Sequence, residues 1–207
     1  MQNTFLTPHF TLLEFTESAT ARKHGIENKP TSEVISNLRE LCQHTLEPLR
    51  KLIGQPVVIT SGFRCKALND IIAHHSHQSQ HLTGQAADFY VGWGQGLGKK
   101  GKTIDEVRDF GVKDESLKFK VQGLKCEDQE AVHKSTSRER LIQAFCLIIT
   151  NPKIDFDQLI IYPNFIHVSY VSPELNRHYI MTANGNGRYH RISVKDAEKL
   201  RMGMGKV

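Results

Sequence analysis

The sequence predicts an α+β fold, with helices packed on one side of a small, mainly antiparallel sheet. Three observations carry this expectation. Apolar residues recur at three- and four-residue spacing from Val34 to Ile53, the pattern of a helix with one buried face. Val57 to Thr60 is a short β-branched run of the kind that forms a buried strand. Gln158 to Tyr162 and Phe165 to Tyr170 are two apolar runs joined by Pro163-Asn164, a hairpin signal.

Taken in order, Leu12 to Lys23 reads as a short helix that ends before Gly25. Thr31 is an N-cap with Glu33 in the first turn behind it. The helix that follows carries Val34, Ile35, Leu38, Leu41, Cys42, Leu46, Leu49, Leu52 and Ile53 on its apolar side. Pro48 lies inside it and predicts a kink or break, and Gly54 closes it. Ser61 reads as an N-cap for a helix over Arg64 to Ala73, and Ala86 to Val91 reads as a strand. Thr136-Ser137-Arg138-Glu139 matches a capping box and opens a buried helix, which Asn151 and Pro152 stop. Strand-like pieces between Asn176 and Ser193 are interrupted by Asn184-Gly185-Asn186-Gly187.

At 207 residues the chain suits a single domain over 1–207. Within it, residues 92–134 alternate glycine with lysine and then become charged without periodicity, which predicts an insertion or flap. Hydrophobic residues make up 39%, too many for a mostly disordered chain. The formal charge of +5 favours anionic partners without choosing among them. The lysines lack interleaved aromatics, so no nucleic-acid partner is expected. No apolar run approaches the roughly 20 residues of a membrane span, and residues 1–10 lack a signal-peptide pattern. The expectation is a chain that is cytoplasmic as synthesised. Its four cysteines are widely spaced, with Cys42 and Cys146 in apolar helical patterns that make them core thiols.

The chemistry concentrates in Ser79-Gln80-His81-Leu82-Thr83-Gly84-Gln85-Ala86-Ala87-Asp88. An imidazole and a carboxylate stand seven residues apart across a loop that enters a strand, with a glycine between them for a tight turn. Both are zinc ligands by type. Strand alternation puts Phe165, His167 and Ser169 on one face, which offers a third ligand. Two histidines and one carboxylate leave the fourth tetrahedral position open, as catalytic zinc sites do.

This pattern, Ser-x-His-x-x-Gly-x-Ala-x-Asp followed far downstream by Ile166-His167-Val168-Ser169, resembles the zinc D-alanyl-D-alanine carboxypeptidase family. That family includes dipeptidases and phage peptidoglycan endopeptidases and shares its fold with the Hedgehog signalling domain. Thr60-Ser61-Gly62-Phe63-Arg64 resembles the family's Ser-Gly-Tyr-Arg segment, and Phe156-Asp157-Gln158-Leu159-Ile160 resembles the strand before the last ligand. The resemblance implies a Hedgehog/DD-peptidase-like fold with a zinc cleft, a phage-type member, and one Zn2+ held by His81, Asp88 and His167. It implies that Arg64 binds a substrate carboxylate or peptide oxygen, and that Ser79 orients the ligand loop or contacts substrate. It implies a zinc peptidase that cleaves peptidoglycan stem peptides; synthesis without a signal fits a phage enzyme that reaches the wall by phage-type release and, equally, intracellular turnover of wall fragments.

One departure is evident. Family members commonly carry a glutamate, or another acid-base residue, a few positions before the last histidine, and no carboxylate lies between Gln158 and His167. Asp157 is the nearest candidate for the catalytic base, with His74, His75, His77 and His178 as other possible relays. The alternative reading follows from the same departure: a zinc-containing protein, weakly active or inactive, that binds wall peptide or serves in a phage particle. Trp93, among its glycines, reads either as a lid aromatic or as a packing anchor.

Overall fold

In the computed structural model, the described residues are 4–72, 76–92, 136–183 and 188–202. The chain divides into two compact units, residues 1–92 with 137–207, and residues 93–136. The expected insertion at 92–134 and Trp93 fall almost wholly on the second unit and lie outside the described residues.

The first unit opens with a two-stranded antiparallel ribbon, β1 (Phe5–Thr7) and β2 (Phe10–Thr11), and two short helices, α1 (Leu12–Thr16) and α2 (Ala19–Lys23). The single helix expected over Leu12 to Lys23 is thus two, because the Ser18 side chain accepts from the Ala21 N–H and starts a new helix. Next come α3 (Ser32–Leu41), a π-helical turn at Cys42–Leu46, and α4 (Glu47–Ile53). Thr31 caps α3 as expected, and Gly54 ends α4 in the left-handed conformation. Pro48 does not break the helix. It stands in the first turn of α4, where its missing N–H costs least, and the π turn before it takes up the misfit.

The remaining elements are β3 (Val57–Ser61), α5 (Lys66–Ile71), β4 (Ala86–Val91), α6 (Ser137–Thr150), β5 (Gln158–Ile161), β6 (Ile166–Ser169), β7 (Tyr179–Ala183), β8 (Tyr189–Arg191) and α7 (Val194–Met202). Helix α5 starts at Lys66 with Cys65 at its N-cap, so Ser61 is no cap; it ends β3 opposite Asp88. The six-stranded sheet runs β3-β4-β6-β5-β7-β8. Every neighbouring pair is antiparallel except β5 with β7.

Register decides which side chains share a face. Ala87 with Val168, Leu159 and Ile180, and Phe89 with Ile166 and Ile161, point to one side and are buried there. Helix α6 packs across β4 and β5 on the chain's core, and α4 and α7 pack on α6. Leu38, Leu41, Leu46, Leu49 and Phe145 are fully buried, each contributing about 1.5–3 kcal/mol of transfer free energy. The opposite face carries Ser61, Asp88, His167 and Ile160 in one row across four strands.

Candidate metal centre

Strand pairing brings the expected ligands together. Asp88 on β4 lies directly opposite His167 on β6, so both project from the same face at adjacent strands. His81 arrives from the loop before β4. Gly84 lets this loop turn, with φ +73°, and lets it lie against α3, since a Cβ there would stand 2.7 Å from the Val34 carbonyl oxygen. The Ser79 hydroxyl is 3.4 Å from the His81 N–H, inside the loop that presents the imidazole.

His167 Nδ1 is 2.8 Å from Asp88 Oδ1 and 3.3 Å from His81 Nε2, and His81 Nε2 is 3.4 Å from Asp88 Oδ1. Zinc–ligand bonds of about 2.0–2.1 Å give tetrahedral edges of about 3.4 Å, so the triangle is close to the size a zinc ion needs. The donor set agrees. His81 Nδ1 lies 2.6 Å from the Gly62 carbonyl oxygen, which can only accept, so the proton sits on Nδ1 and the Nε2 lone pair faces inward. Three acceptor atoms then converge with at most one proton, on His167 Nδ1, to share among them. A cation in the middle relieves that conflict, and these residues fit zinc.

The electrostatics are consistent with a preformed ligand set. Burial pushes the His81 imidazole toward its neutral form against the pull of Asp88, and a ligating imidazole must be neutral. Burial also opposes ionisation of Asp88, but the two imidazoles outweigh it and hold its carboxyl well below the usual range. Arg64 lies next to this group, its Nη2 3.7 Å from Asp88 Oδ2 and its own N–H bonded to the His81 carbonyl. Its Nε is buried without a hydrogen-bond partner, a donor unused within the protein. Gly62 is required here: a Cβ would fall 2.6 Å from the Phe15 backbone, so Gly62 lies directly on α1 while its carbonyl orients His81.

Residues 8–97 match the Peptidase M15 family model. The matched segment holds Arg64, Ser79, His81 and Asp88, covers less than half of the 207 residues, and ends before His167. It is the family of zinc D-Ala-D-Ala carboxypeptidase-like enzymes that the sequence resembles, and it implies a metallopeptidase. No curated protein and no solved structure gave a significant match. Among the described residues, the group of metal-ligating side chains that converges is His81, Asp88 and His167.

Asp157 stands apart from that group. It is fully buried, and its Oδ1 accepts from the Arg177 backbone N–H and from Arg177 Nε. Its Oδ2 accepts from Arg177 Nη2, Gln80 Nε2 and the Ser169 hydroxyl. Burial opposes ionisation, but the Arg177 and Gln80 bonds prevail and hold the group at about 2. The base role expected of Asp157 does not fit this arrangement, because a saturated, strongly acidic carboxylate has no free lone pair for a proton and little affinity for one at neutral pH. Nor does His178 supply a relay, since its Nε2 bonds Asp155. His77 is exposed in the loop, while His74 and His75 lie outside the described residues.

Arg177 was not singled out from the sequence. Asn176-Arg177 follows a Ser-Pro turn and reads as loop, and nothing local names a partner 20 residues upstream. Among the described residues, no helix is long and apolar enough to cross a membrane.

Proposed function

We propose that the chain is a zinc-dependent peptidase that hydrolyses peptidoglycan stem peptides, as a D-Ala-D-Ala carboxypeptidase or endopeptidase with a Hedgehog/DD-peptidase-like fold. The observation that carries the reading is the His81–Asp88–His167 triangle at zinc-sized spacing inside a sheet whose first strands match Peptidase M15. Zinc bound there would supply Lewis acidity and a water molecule whose pKa is lowered to about 7.

The chain's own residues do the rest. Gly62 holds the His81 tautomer, Asp88 bridges the two imidazoles, and Ser79 keeps the loop in register. Arg64, permanently charged and with Nε unused, binds a carboxylate or peptide oxygen of the substrate beside the ligands. Asp157 acts as a positioning residue: it ties Gln80, the neighbour of His81, to Arg177 in the segment before β7. Cell-wall substrate and phage-type release are part of this proposal, as is the single domain over 1–207 with its insertion.

A second reading is favoured by one observation, the saturation of Asp157, which removes the expected carboxylate as a base. The chain would then bind zinc and wall peptide without efficient cleavage. Incubating the pure protein with muropeptides, with and without a chelator, separates the two. Chelator-sensitive release of an amino acid or peptide supports the peptidase; retention of intact muropeptide without products supports the binder.

A further inference from the structure

The row that carries Asp88, His167 and Ile160 continues past the metal group. Ile160 pairs with Met181 on β7, and Met181 pairs with Arg191 on β8, so Arg191 projects from the same face of the sheet as the ligands. Three strand spacings of about 4.8 Å put Arg191 about 14 Å from His167, a span that about four residues of extended peptide cover. Buried Ile160 and half-buried Met181 form an apolar floor between them.

Arg191 is exposed, and its guanidinium lies on the ring of Tyr179, 4.1 Å from the centroid. Tyr179 stands two residues before Met181 and faces the same way. A second guanidinium, that of Arg177, lies 5.1 Å from the same centroid. Two cations thus share one aromatic ring, which steadies them without neutralising them. Arg177 uses Nε and Nη2 on Asp157. Among the described residues, its Nη1 bonds nothing and no carboxylate pairs with Arg191. Arg191 therefore keeps its whole fork of donors, whose geometry matches a carboxylate with two parallel hydrogen bonds.

We propose that Arg191, with Nη1 of Arg177 beside it, binds a carboxylate of the substrate about four residues from the scissile bond, and so makes the chain selective for acidic peptides. This inference rests on the reading that wall peptide lies across the ligand face. Arg64 follows β3, at one edge of the sheet, and Arg191 lies on β8, at the other. A contact so far from the reacting atoms is made equally in the ground state and the transition state, so it sets KM and leaves kcat alone.

Arg191→Gln removes the charge from an exposed side chain, so the fold and bound zinc should be unchanged. The probes are a stem peptide with its side-chain carboxylates free and the same peptide with them amidated. For the free acid, Arg191→Gln should raise KM about tenfold at constant kcat, in line with one lost charge-assisted bond. For the amidated peptide it should change neither. Added salt should weaken binding of the free acid to the wild type and affect the variant less. Tyr179→Leu, which takes away the ring, should raise KM for the free acid by a few-fold. An Arg191→Gln protein with the wild-type KM for the free acid, or with an equal rise for the amidated peptide, overturns the inference and leaves the peptidase intact. A wild type that cuts neither peptide overturns the peptidase reading alone. Calorimetry then reads the same tenfold loss as affinity for the free acid, and equal affinities of wild type and variant overturn this inference too.

Discussion

Asp88 and Asp157 are two carboxylates on the same sheet, and their surroundings are opposite. Asp88 faces two imidazole nitrogens, groups that supply lone pairs as readily as protons. Asp157 faces donors alone: a guanidinium, a backbone N–H, a carboxamide and a hydroxyl. Both are held ionised. The first cluster turns three ligand atoms toward one point, where a cation could sit; the second is satisfied within the protein. A perturbed carboxylate therefore says little about function until its partners are counted as donors or acceptors.

The largest effect that can break the comparison is metal loss. His81→Ala should abolish stoichiometric zinc binding, read as metal content after gel filtration, with folding retained because the loop is anchored separately through Gly84. Retention of one equivalent of zinc would falsify the ligand assignment. Removing Arg177 should do the reverse. Arg177→Met strands a buried carboxylate and should cost about 2–3 kcal/mol in urea unfolding, below the ~3–5 of a fully buried pair because Arg177 is half exposed. Its zinc content should not change.

The smallest effect is a pH dependence. Asp157 titrates near 2 in the folded chain against an ordinary value of 3.8. A folded pKa below the unfolded one stabilises the protein above about pH 4 and is lost as the pH falls toward 2, a contribution of about 2 kcal/mol. The stability gap between wild type and Asp157→Asn should therefore narrow as the pH falls from about 5 toward 2. A constant gap would mean that the Arg177 bonds do not set the titration.

The metal group was legible in the sequence because strand alternation and a short loop place His81, Asp88 and His167 on one face whatever surrounds them. The helices over Ser32–Leu41 and Ser137–Thr150 were legible for the same reason, since their apolar spacing states which side is buried. The Asp157 network was not. Its guanidinium comes from a turn, its carboxamide from the ligand loop, and pairing across the sheet has no local signature. Strands β1 and β2, three and two residues long, are too short to carry a period, and α7 has few apolar residues by which to recognise it.

Gly62 sits with no clearance against Phe15, and the oxygen that steers the His81 ring belongs to that same residue. The opening ribbon and first helix thus serve as a buttress for chemistry encoded some 65 residues later. Widening that seam by a single methyl would be felt as a tilt of one imidazole, so ion affinity in this chain can be tuned from a stretch that never meets the ion.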